Sequence, residues 1–113
     1  MRDQLKDSDR LAHMIEAIDN LKAFMHDKSP ENLEENKILY FAVVKNIEIV
    51  GEAAYKLSME FKNNHPEIPW RLIEKMRHIM VHGYYKISLP ILYNVYTEDL
   101  PILESFIKNL NVD

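Results

Sequence analysis

The segment Arg77-His78-Ile79-Met80-Val81-His82-Gly83-Tyr84-Tyr85 is dense in reactive groups. An arginine grips phosphate through several N–H donors and keeps its charge throughout the physiological range. A histidine takes or gives a proton near neutral pH. Tyrosines stack on bases or donate an O–H. Together these side chains suit the cleavage of a phosphodiester.

Spacing limits how they can act. Residues five apart on a straight helix point ~140° away from each other and lie ~7.5 Å apart along the axis. Arg77 and His82 therefore cannot pinch one phosphate from a regular helix. Either the helix unwinds at His82-Gly83, or the phosphate sits between Arg77 of one chain and His82 of a symmetric copy. The second arrangement predicts a dimer with the site in its groove. In the last turn of its helix, His82 would sit at the negative end of the helix dipole, which suits a proton donor or an electrostatic clamp.

Structural roles compete with these. Arg77 could simply pair with Glu52 or Glu74, and His82 could cap a helix. Tyr85 reads as a packed aromatic. His78 and His82 have the spacing of a helical metal pair, but residue 79 is isoleucine and no third ligand is evident, so no metal site is expected. Glu48 and Glu52 share a helix face without any E-x-x-H motif. They read as partners for Lys45, Lys56 or Arg77, with Glu52 supporting the site from behind.

The elements that must position these groups are helical. Leu11, Met14, Ile15, Ile18, Leu21 and Met25 recur at steps of three or four and predict a first helix over roughly 3–27. Ser29 and Pro30 read as the N-cap and first position of a second, running to about Lys62 as the longest element. Gly51 within it costs about 1 kcal/mol of helix stability relative to alanine. Its expected use is to let another helix approach closely. The break Asn63-Asn64-His65-Pro66-Glu67-Ile68-Pro69 precedes a third helix from Pro69 to about Val81 or His82, stopped by Gly83. Ser88-Leu89-Pro90-Ile91-Leu92 recurs as Asp99-Leu100-Pro101-Ile102-Leu103 and predicts two short helices, 89–97 and 100–110, meeting at a bend. With no convincing strand, the expected fold is all-α, an antiparallel bundle of four to five helices.

Composition sets the frame. A chain of 113 residues, 47% hydrophobic and 28% charged, fits one globular domain over 1–113. No cysteine is present, which removes disulfides, thiolate metal sites and thiol nucleophiles and fits a reducing cytoplasm. The N-terminus shows no apolar leader, and no apolar run approaches the ~18 residues that would span a bilayer. The formal charge is −4, yet residues 71–86 carry four cations (Arg71, Lys75, Arg77, Lys86) against one anion (Glu74). A wholly basic coat for nucleic acid is excluded; a basic stretch is present.

Arg77, His82 and Tyr84 form an R-x4-H-x-Y pattern that resembles the signature of the HepT-like branch of the HEPN superfamily. Ala42-Val43-Val44-Lys45-Asn46-Ile47-Glu48-Ile49-Val50-Gly51-Glu52-Ala53-Ala54 is similar to that family's second-helix segment, and His65-Pro66-Glu67-Ile68-Pro69-Trp70 to its entry into helix three. R-x4-H alone is a weak signal; the three segments in order are a strong one. The resemblance covers nearly the whole chain.

It implies a HEPN-like dimeric helical fold and a metal-independent endoribonuclease, the toxin of a type VII-like toxin–antitoxin system, using no cofactor. It also implies a partner, a minimal nucleotidyltransferase antitoxin that adenylylates the motif tyrosine, here Tyr84. Arg77 and His82 would be catalytic, with His78, Lys45 and Glu52 binding RNA or supporting the site. Lys45 stands where arginine is expected, Ser88 where an acid is common, and Leu92-Tyr93 where Val-Trp is expected. Two rival expectations are a non-catalytic module that binds nucleotide or docks to the transferase, and a purely structural bundle.

Overall fold

A computed structural model describes residues 6–83, 85 and 87–110, and these are helix and connecting turns with no strand among them. The helices are α1 (Asp7–Met25), α2 (Pro30–Glu35), α3 (Lys37–Lys56), α4 (Met59–Asn64), α5 (Trp70–His82), α6 (Leu89–Asn94) and α7 (Leu100–Lys108). The fold is an all-α bundle.

α1 buries Leu11, Met14, Ile18, Leu21 and Met25, the spacing that predicted it. It ends two residues before the expected stop. The chain turns at Asp27, whose φ of 60° is left-handed backbone that a short polar side chain tolerates. Ser29 is then extended, its N–H donates to Asn32 Oδ1 at 2.8 Å, and Pro30 opens α2.

The expected helix from Pro30 to Lys62 is broken twice. At Asn36 the side chain accepts from the Leu39 N–H at 3.1 Å and starts α3 afresh. At Leu57 and Ser58 the backbone is extended, and Ser58 Oγ accepts from the Phe61 N–H at 3.0 Å to start α4. Asn and Ser make such breaks because their side-chain oxygens satisfy first-turn N–H groups that a continuing helix would use internally. Asp7 secures the second break, accepting from Ser58 N at 2.8 Å and Ser58 Oγ at 2.7 Å. Lys62 then closes the C-terminal end of α3. Its buried ammonium donates to the Ala54 and Tyr55 carbonyls at 3.2 and 3.3 Å and to Glu74 of α5 at 2.7 Å. A cation is favoured at that end of a helix, and three acceptors satisfy its burial.

α5 runs as expected from just after Pro69 to His82, and the Gly83 N–H closes it on the Ile79 carbonyl at 2.8 Å. The C-terminal expectation is corrected. Instead of two helices meeting at a bend, a single helical path runs over 89–108, with a π-helical turn at Val95–Asp99. Pro101 has no N–H for the carbonyl four residues back, and its ring would crowd that carbonyl. The wider turn relieves both: the Leu100 N–H reaches back to the Val95 carbonyl, and the Thr97 hydroxyl donates to the Tyr93 carbonyl at 3.0 Å.

α1 and α3 lie antiparallel, since Asp7 meets Ser58 while Asn20 Nδ2 donates to Asn46 Oδ1 at 3.2 Å. α5 packs on α3, and the α6–α7 path closes over α1, where Lys22 and Glu104 pair at 2.5 Å. Met14, Leu21, Val43, Ile47, Val50, Leu92 and Leu100 form the fully buried centre.

Candidate active site

The site is built on the seam between α3 and α5, and Gly51 sets its width. A Cβ at Gly51 would fall 2.8 Å from both the Cβ and the backbone N of Arg77 and 3.0 Å from the Ile73 carbonyl oxygen. None of those atoms can swing aside. The close approach expected of Gly51 is therefore present, and its counterpart is Arg77 itself.

The next turn of α3 then holds the Arg77 side chain. Arg77 Nε donates to Glu52 Oε1, and the guanidinium carbon lies over the Tyr55 ring at 4.7 Å from its centroid. Lys56 Nζ reaches the other Glu52 oxygen at 3.3 Å. Burial on its own would raise the Glu52 carboxyl, but hydrogen bonds from Arg77 and Lys56, with their charges, outweigh it and hold the group below the usual carboxylate range. Glu52 is thus ionised at neutral pH. Glu74 is committed to Lys62, so the ion-pair role for Arg77 falls to Glu52. Pairing does not exclude chemistry. Only Nε of the guanidinium fork is bonded to Glu52, and the side chain remains 37% exposed, so its outer donors can meet a phosphate.

His82 is the last residue of α5 and is exposed. Its ring lies 4.6 Å from that of His78, tilted by 47°. Because the helix stays regular through His82, the unwound arrangement is not adopted. Arg77 lies on the side of α5 that carries the buried Trp70, Ile73 and Met80, against Gly51, while His78 and His82 point outward. Within one chain, the arginine and the histidine do not converge.

Lys45 is exposed on α3 and pairs with Glu48 at 3.6 Å. It lines a cleft between α1 and α3 together with Arg10, His13, Asn20, Glu48 and Glu52. Glu52 belongs both to this cleft and to the Arg77 clamp. Tyr84 lies outside the described residues, as does Lys86. Tyr85 is not the packed aromatic expected of it; it is 71% exposed and borders a shallow depression with Tyr40 and Phe41. Tyr55 was missed by sequence reasoning, although its position three residues after Glu52 places both on one helix face. Among the described residues, no three metal-ligating side chains cluster.

A family profile described as "Ribonuclease HepT-like" matches residues 14–110. A probable ribonuclease HepT of Thermococcus cleftensis is 34% identical over 102 residues, covering 90% of this chain and 93% of that protein. A gamma-glutamylcyclotransferase and putative RNase of Methanocaldococcus jannaschii is 33% identical over 109 residues, covering 89% of this chain but 49% of that protein, so this chain spans about half its length. A putative RNase of Caldanaerobacter subterraneus is 29% identical over 100 residues, with 88% and 89% covered. No solved structure matches at a significant level.

Proposed function

We propose, from the premise that this chain belongs to the Ribonuclease HepT-like family of HEPN proteins, that it is a metal-independent endoribonuclease acting as a homodimer. The observation that carries this reading is the Arg77 clamp. Glu52 and Tyr55 fix the guanidinium at the surface by one nitrogen and one face and leave its outer donors open. The exposed His82 on the same helix supplies the proton-transfer group.

The substrate's own 2′-OH attacks the adjacent phosphorus. The new 2′-O–P bond forms as the P–O5′ bond breaks, leaving a cyclic phosphate and a 5′-hydroxyl. His82 moves the proton, and Arg77 stabilises charge gathering on the non-bridging oxygens. DNA lacks the nucleophile and is spared. Since the two groups diverge on a regular α5, Arg77 of one protomer acts with the partner's His82 across a twofold axis. His78 and Lys45 contact the RNA, and Glu52 orients Arg77.

The biological setting consistent with family membership is a type VII-like toxin–antitoxin system. A nucleotidyltransferase partner would adenylylate Tyr84, placing a bulky anion beside the groove and offsetting the Arg77 charge.

Labelled RNA incubated with the protein in EDTA should be cut by wild type and not by Arg77→Ala or His82→Ala. Identical patterns from all three would sink the nuclease reading and favour a non-catalytic nucleotide-binding or transferase-docking module. Mass spectrometry after co-expression with a neighbouring transferase should find added AMP on Tyr84; AMP on another residue, or none, would remove the partner from the account.

A further inference from the structure

We propose that Arg71 and Lys75 form a phosphate track along the outer face of α5 that leads a single RNA strand to His78 and His82; the identity of the ligand rests on the ribonuclease reading above. At 100° per residue, positions 71, 75, 78 and 82 fall within about 60° of arc and span ~16.5 Å of helix. All four residues are exposed.

The surrounding charges single out this stripe. Arg77 is paired with Glu52, Lys56 shares the same carboxylate, and Lys62 is paired with Glu74. Glu74 is the one acid on α5, and Lys62 draws it off the outer face. Among the described residues, no carboxylate pairs with Arg71 or Lys75. A solvated helix face more often mixes signs, because like charges four residues apart destabilise a helix by a few tenths of a kcal/mol. Here two cations stand four apart in a chain whose net charge is −4. A polyanion laid along the stripe relieves that repulsion. The stripe is straight and open, which fits a strand better than a lone nucleotide held in a cavity.

The test uses a 2′-O-methyl RNA strand, which keeps the phosphates and removes the nucleophile, so binding is read apart from cleavage. Log affinity is measured against log salt concentration. Each phosphate contact to a single strand contributes about 0.7 to the slope. Arg71→Gln and Lys75→Gln should each lower the slope by about that amount, weaken all sequences alike, and add in the double variant. Lys28→Gln, an exposed cation on the connection between α1 and α2, should leave the slope unchanged.

An unchanged slope in the double variant overturns the track. So does an equal loss from Lys28→Gln, which would mean diffuse attraction. Retained RNA binding together with loss of an acidic protein partner would assign the stripe to that partner and likewise overturn the proposal. A protein that binds through the stripe yet never cuts natural RNA would refute the nuclease and keep the track. One that cuts with the slope untouched would do the reverse.

Discussion

α3 makes two contacts with opposite logic. Its core face, Val43, Ile47, Val50 and Ala54, is 5% exposed or less and packs with Met14, Leu21, Leu92 and Leu100. At its seam with α5, beside the buried Trp70, Ile73 and Met80, a glycine, a carboxylate and a half-exposed tyrosine meet an arginine. The core is held by volume, so many hydrophobes of similar size would serve. The seam is held by near-contact of two backbones, and it aims one side chain. Stability and precision thus reside on different faces of one helix.

The comparison can be tested in descending order of effect. His82→Ala and Arg77→Ala should lower the cleavage rate by about 100-fold or more, the usual cost of removing an acid–base group or a charge-stabilising donor. His82→Ala should leave the melting temperature unchanged, since the side chain is exposed. A large drop in melting temperature would move that residue into the structural region.

Ile47→Ala, at a fully buried position, should destabilise the fold by about 2–5 kcal/mol in denaturant unfolding. Cleavage per folded molecule should be unaffected, and a specific loss of activity would blur the division between core and seam.

Gly51→Ala is the sharper probe. Alanine should gain about 1 kcal/mol of helix propensity, while overpacking against backbone atoms costs about 1–3 kcal/mol. The expected net is modest destabilisation with a disproportionate loss of cleavage, because widening the seam displaces Arg77. A neutral or stabilising result, with activity intact, would show that the seam tolerates a wider spacing.

The smallest effect is in acid. Lys22, the largest influence, and Lys108 hold the Glu104 carboxyl below its usual range despite its burial, and Glu52 is also lowered. A depressed carboxylate contributes stability above its unfolded value of 4.5 and loses it as pH falls through the lower folded value. Glu104→Gln should therefore flatten the acid limb of stability without touching cleavage. Glu52→Gln should flatten it and also slow cleavage. Equal catalytic effects of the two substitutions would contradict the clamp.

Strong local signals set the ends of several elements. Pro69 and Gly83 bracket α5, and Ser29-Pro30 opens α2, because proline and a capping side chain act within a residue or two of themselves. The break at Ser58 was not legible, since serine is acceptable inside a helix and the carboxylate that holds the break comes from Asp7, 51 residues away. The π turn was hidden for a related reason. A Leu-Pro pair that opens α6 recurs where the chain is already helical, so the backbone widened instead of restarting.

Helical periodicity, the reactive motif and its punctuation were written in the chain, since backbone preference and side-chain type act over a few neighbours. Long-range packing alone chose Glu52 over Glu74 as the arginine's partner and slid Tyr55 beneath it. Those choices depend on how closely two helices settle, and that distance is set at the glycine where their backbones touch.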